Sequence, residues 1–163
     1  MRGFFGRLLS PVLGARPPSD LVWITPELAQ SARFASREAT ALSRLAIGAV
    51  LDLRAGERHQ LAPLGKAGLH YLHLPISDHR GPAEEGLARA ADWVLQELGD
   101  DRKVLVHCQA ASGRSLAVVA AVLLRIGYPL PEAVALVRQR QPEAVLEVAQ
   151  MAILQRYADT LAR

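Results

Sequence analysis

HCQAASGRS, residues 107–115, lies between two apolar runs, KVLV (103–106) before it and LAVVAAVLL (116–124) after it. The first has the length and composition of a buried strand. The second continues a helix from Arg114 to Ile126 that is apolar nearly all round and so belongs at the centre of the molecule. HCQAASGRS therefore reads as a strand-to-helix junction. Ala110, Ala111, Ser112 and Gly113 are small enough for the backbone to close round a ligand. Backbone N–H groups and the helix dipole at such a junction favour an anion. The chain's only cysteine, Cys108, stands in this loop.

Outward from the junction, strands alternate with helices. LVWITPELAQSA (21–32) reads as two short strands around Thr25-Pro26-Glu27. Ser36 is placed to cap a helix carrying Leu42 and Leu45, with Gly48 just past its end. AVLDLR (49–54) and LHYLHLPI (69–76) are further strands, with a short helix broken at Pro63 between them. SDHRGP (77–82) is a polar loop closed by Gly81 and Pro82. A helix over 82–98 puts Leu87, Ala91, Val94 and Leu98 on one face, and KVLVH (103–107) follows as a strand. Pro131 opens a helix that Pro142 ends. A last helix over about 143–161 is expected to bury Val145, Ala149, Ala152, Ile153, Tyr157 and Leu161. Short continuous apolar strands alternating with helices predict an α/β fold: a largely parallel central sheet of four to five strands, flanked by helices on both faces. In such sheets ligands bind where strands end and helices begin.

The 163 residues suit one domain, taken as 21–163, preceded by a tail over 1–20. The net charge of +3 suits anionic ligands, but no dense Lys/Arg block points to nucleic acid. A single cysteine excludes an internal disulfide and fits a reducing compartment, so a cytoplasmic location is expected. No apolar run reaches the ~18 residues of a membrane-spanning helix. In MRGFFGRLLSPVLGARPP, Pro11 and Gly14 interrupt the apolar residues that a signal peptide would keep together. A flexible or docking tail accounts for it better than contact with a membrane surface. His70 and His73 fall on opposite sides of their strand, and no metal cluster is expected.

A lone cysteine near a strand end is ordinarily a small buried hydrophobe. Here the helix dipole, the loop N–H groups and Arg114 all favour its thiolate. Sites of this kind lower a thiol pKa from ~8.5 to ~3.5–7.5. Arg114 offers a planar fork for two phosphate oxygens, and the same donors would stabilise charge on a transferring phosphoryl group. Ser115 is placed to hydrogen-bond the sulfur and help it leave.

His-Cys, five residues, Arg and Ser resembles the signature loop of the cysteine-dependent protein tyrosine phosphatases. The compact dual-specificity branch of microbial type is the nearest likeness, supported by ITPELAQSAR, AVLDLR and LHYLHLPISDHRGP, from about Trp23 to the C-terminus. The resemblance implies a phosphatase that cleaves phosphate monoesters, phosphotyrosine and also phosphoserine or phosphothreonine, through a phosphocysteine intermediate and without a cofactor. It makes Cys108 the nucleophile and Arg114 the phosphate ligand, with His107, Gln109, Ala110, Ala111, Ser112 and Gly113 completing the phosphate-binding loop (P-loop). Ser115 would assist breakdown of the phosphocysteine, and His107 would set the cysteine's environment by hydrogen bonding. Asp78 would be the general acid and then the base. Gln150 would position the hydrolytic water. Partners would be a phosphorylated protein or a small phosphate monoester, with phosphate-like oxyanions as inhibitors. One departure is Ala111, where the family usually has glycine. Asp52, inside an apolar strand, reads as an anchor for backbone and for Arg54. Glu84 and Glu85 are reserve acids that also complement a helix dipole. The alternatives are a non-catalytic phosphate-binding module, which Ala111 favours, and a rhodanese-like sulfurtransferase, whose loop spacing differs. An arsenate reductase would need further cysteines.

Overall fold

A computed structural model describes residues 16–56, 58–76, 83–109, 113–143 and 145–163. The strands are β1 (Val22–Trp23), β2 (Leu28–Ser31), β3 (Ile47–Asp52), β4 (His70–His73) and β5 (Lys103–His107). They form one sheet in the order β1-β2-β5-β3-β4, in which only β1 runs antiparallel to its neighbour. A 3-10 turn (Ser36–Glu38) leads into α1 (Ala39–Arg44). The other helices are α2 (Leu61–Lys66), α3 (Glu84–Gly99), α4 (Arg114–Arg125), α5 (Leu130–Arg140) and α6 (Val148–Leu161). The α/β sheet with helices on both faces is the architecture expected from the sequence.

Side chains along a strand alternate between faces, and this sorts the core. Leu28, Leu51, Val104 and Val106 point to one face, where they pack with α4, buried from Arg114 to Leu124, and with α3, α5 and α6. Ala29, Val50 and Leu105 point to the other, against Leu42 of α1 and Leu64 of α2. Strand β5 lies between β2 and β3, and its last residue, His107, is in register with Ser31 on one side and Asp52 on the other. Three strand ends therefore meet at one level, and the chain turns there into α4. The central strand has parallel neighbours on both sides, the arrangement that opens a crevice at the carboxyl edge of a parallel sheet.

Several local expectations change. Ser36 does not cap α1. Ala35 is the residue before the 3-10 turn, its N–H bonds to Glu38 Oε2 at 2.7 Å, and the Ser36 hydroxyl bonds to His59 instead. Gly48 lies within β3 rather than past a helix end. Pro63 does not break α2, because it sits in the first turn, where a missing N–H costs no helical hydrogen bond. Helix α6 begins at Val148, and its buried residues are Gln150, Ile153, Leu154 and Tyr157. Val145 and Leu161 are exposed, and Ala149 and Ala152 lie on the solvent side of α6. Ile153 and Tyr157 are buried as expected, but the rest of the inward face differs because Gln150, a polar residue, is one of its positions. Among the described residues, no helix is long and apolar enough to cross a membrane.

Candidate active site

Cys108 follows β5 directly and is fully buried, sharing the core face of Val106. The chain reaches α4 through Gly113, which precedes the helix with φ +78°. That left-handed conformation suits glycine. A second constraint acts there: a Cβ on Gly113 would collide with the carboxamide of Gln150. Gln150, buried in the first turn of α6, thus packs against Gly113 at the end of the cysteine loop. Its Oε1 accepts the Glu147 N–H at 2.9 Å and fixes the start of α6. Loop and helix are keyed to each other through one glycine and one glutamine.

Arg114 opens α4 and is buried, an unusual position for a guanidinium. Its Nη1 donates to the carbonyl of Ile76 at 3.0 Å and approaches that of Leu53 at 3.4 Å. Both carbonyls belong to chain leaving the carboxyl edge of the sheet, after β4 and β3. The side chain is thereby held across the strand ends beside the cysteine loop.

Ser115 Oγ lies 3.5 Å from Cys108 Sγ. Its hydroxyl donates to Oε1 of Gln30 at 2.8 Å. Gln30 is buried in β2, on the same face as Leu28. Nothing in the sequence drew attention to it, although an amide in a four-residue strand buried throughout was the available signal. Its Nε2 meets no hydrogen-bond partner among the described residues.

A second polar group lies on the opposite face, beneath the loop. His107 Nε2 meets His59 Nε2 at 2.9 Å, and His107 Nδ1 lies 3.2 Å from the Cys108 carbonyl. His59 Nδ1 lies 3.2 Å from Ser36 Oγ. With both rings neutral, one proton arrangement satisfies all three contacts. The Cys108 carbonyl only accepts, so His107 Nδ1 carries the proton and Nε2 is bare. His59 Nε2–H then donates to it, and the bare His59 Nδ1 accepts the Ser36 hydroxyl. This needs both rings neutral. Burial ensures it, lowering His59 to about 3 and His107 to about 4.

Asp52 sits beside the pair as the sequence suggested, binding Arg54 through both oxygens at 2.9 and 2.8 Å and accepting the Arg54 N–H at 3.0 Å. Tyr71 O–H donates to it at 2.7 Å and accepts the His59 N–H at 3.1 Å. Burial alone would raise the Asp52 carboxyl; Arg54 and Tyr71 outweigh it and hold the group at about 2. Burial, with the same carboxylate, pushes Tyr71 up to about 12. Asp52, His59 and His107 bring three potential metal-ligand atoms within 4.8 Å. Both carboxylate oxygens are already committed to a guanidinium, and the histidines satisfy each other, so the cluster is complete as a hydrogen-bond network.

The structure brings together Cys108, Ser115, Arg114, Gly113, His107 and Gln150. Gln109 follows Cys108 and is exposed. Ala110, Ala111, Ser112 and the expected acid Asp78 lie outside the described residues. Three other carboxylates are occupied elsewhere: Glu84 accepts from Thr160, Asp92 from Arg125 and Asp100 from Arg102.

Comparison with known proteins decides the family. A family model described as "Tc-R-P: Polymorphic toxin system, DSP-PTPase phosphatase" matches residues 28–128. The chain belongs to this phosphatase family. Solved structures agree. Tk-PTP in its active form is 31% identical with a TM-score of 0.78, over 86% of this chain and 97% of that one. Human DUSP28 gives 27% and 0.73, over 91% and 100%. A mouse dual specificity phosphatase complexed with zinc tungstate gives 26% and 0.75, over 94% of each chain. None of the curated proteins matches. As a compact dual-specificity-like member of the protein tyrosine phosphatase superfamily, this phosphatase carries its cysteine loop at the strand-to-helix junction where the sequence placed it.

Proposed function

We propose that this protein hydrolyses phosphate monoesters, phosphotyrosine and also phosphoserine or phosphothreonine, through a phosphocysteine intermediate. The observation that carries this reading is the Cys108–Ser115 pair, 3.5 Å apart at the start of α4, with Arg114 fixed beside it by backbone carbonyls. In the first step the Cys108 sulfur attacks phosphorus and the ester oxygen leaves with the electron pair of its bond. Asp78 gives that oxygen a proton. Arg114 and the loop N–H groups hold the non-bridging oxygens through the transition state. In the second step Asp78, now a carboxylate, takes a proton from a water that attacks the phosphocysteine. Gln150, lying against Gly113, is suited to position that water. The sulfur leaves as thiolate, and the Ser115 hydroxyl, turning from Gln30 to the sulfur, can stabilise it. His107 acts through its hydrogen bond to the Cys108 carbonyl and not as a base. No cofactor enters these steps. One domain over 21–163 is the proposed catalytic unit, preceded by a tail over 1–20, and the proposed location is cytoplasmic.

Hydrolysis of 4-nitrophenyl phosphate from pH 4 to 9, in reductant and without added metal, tests the reading. Activity should vanish in Cys108→Ser and fall at least tenfold in Asp78→Asn. A folded wild type that binds vanadate without turnover would identify a phosphate-binding module instead. Absence of both turnover and oxyanion binding would contradict the phosphatase reading altogether.

A further inference from the structure

A hollow of about 460 Å³ opens beside Cys108 and is walled by Arg33, Arg37 and Arg54. A second, of about 380 Å³, shares Arg37 and Arg54 with it and continues to Arg58. Arg33, Arg37 and Arg58 are exposed. Among the described residues none of the three forms an ion pair; Arg54 alone is tied, to Asp52. Two carboxylates, Asp20 and Glu38, line the first hollow. Each is turned to backbone: Asp20 Oδ2 accepts the Ala32 N–H at 2.7 Å, and Glu38 Oε2 accepts the Ala35 N–H at 2.7 Å. The acids thus brace the loop that carries Arg33 and Arg37, while the guanidinium groups stand to solvent. None of these arginines has a part in the chemistry at Cys108.

We infer that this shelf is a second anion subsite, and that the preferred substrate is a small phosphate monoester bearing a second phosphoryl group on the same molecule. The inference rests on the phosphatase reading of Cys108. Guanidinium forks match phosphate oxygens two at a time, and three of them line two adjoining hollows, the first of which reaches Cys108. The first hollow is walled by residues 18–20 as well as by the arginine-bearing loop. That suits a compact second anion better than an extended acidic peptide.

The test is calorimetric binding of non-hydrolysable probes, phenylphosphonate and 1,3-phenylenebisphosphonate, to the full chain. The wild type should bind the bisphosphonate at least tenfold more tightly. The triple variant Arg33→Ser/Arg37→Ser/Arg58→Ser should reduce that ratio to about two, the statistical value. Arg89→Ser/Arg138→Ser/Arg156→Ser removes the same charge from helices α3, α5 and α6 and should leave the ratio as it was. Equal affinities in the wild type, or equal losses in both triple variants, would overturn the subsite. A phosphonotyrosine-mimetic peptide flanked by glutamates, losing more affinity in the first triple variant than the bisphosphonate does, would overturn the small-molecule assignment in favour of an acidic peptide. Failure of the parent reading looks different: the selectivity for the bisphosphonate would persist while 4-nitrophenyl phosphate is not turned over.

Discussion

Acid should unfold this protein through the two neutral histidines beneath the cysteine loop. In the unfolded chain each has its ordinary pKa of 6.5, whereas in the fold His59 is at about 3 and His107 at about 4. Below pH 6.5 the unfolded state therefore binds protons that the folded state refuses, and stability falls as the pH falls. One such histidine costs about 2 kcal/mol between pH 7 and pH 5. Because the rings share a hydrogen bond, a single proton taken up by the pair sets a lower limit of about 2 kcal/mol, and independent titration sets an upper limit of about 4 kcal/mol. Asp52, at about 2 against 3.8 unfolded, adds loss in the same direction, but only below about pH 4. The assay is urea unfolding at pH 7, 6 and 5. His59→Phe should lower stability at pH 7, because His107 Nε2 loses its donor, and should remove about half of the pH dependence. A wild type whose stability changes by less than about 0.5 kcal/mol over this range would refute the assignment of two neutral buried rings. So would an unchanged slope in His59→Phe.

Other predictions follow from single contacts. Gly113→Ala should cost about 1–2 kcal/mol for the left-handed backbone and also displace Gln150, so both thermal stability and turnover of 4-nitrophenyl phosphate should drop; wild-type values for both would contradict the packing described. Tyr71→Phe removes the donor to Asp52 and the acceptor for the His59 N–H, and should cost about 1–3 kcal/mol in urea unfolding, where a loss near zero would refute it. Gln30→Glu replaces the neutral acceptor of the Ser115 hydroxyl with a charged one, which holds that proton against turning to the sulfur. Breakdown of the phosphocysteine should slow at least tenfold and give a burst of nitrophenol in stopped flow, whereas a uniform loss of both steps would argue for misfolding.

Much of the site could be read in the sequence because its parts are local. A strand-length apolar run, small loop residues and an apolar helix place Cys108, Gly113, Arg114 and Ser115 within one short stretch of chain, and no tertiary knowledge is needed to assemble them. Asp52 was also legible, since a carboxylate in an apolar strand two residues before an arginine has one obvious partner. His59 was not, because its contact with His107 spans 48 residues and lies on the sheet face opposite Cys108. Alternation along β5 does place His107 on that face, but no local pattern says what covers it. Gln30 escaped for the same reason, its partner being 85 residues away. The buried face of α6 was misjudged because Gln150, a polar residue, is among its inward positions. Its place there is set by Gly113, not by hydrophobicity.

The most direct test of the account is rapid chemical quench of the protein with 4-nitrophenyl phosphate, followed by peptide mass spectrometry. The account predicts one phosphoryl group on the peptide containing Cys108, formed within the burst and accumulating in Gln150→Leu, where the hydrolytic water is poorly held. Turnover with no phosphoryl group on Cys108 at any time, or activity that survives Cys108→Ser, would contradict it.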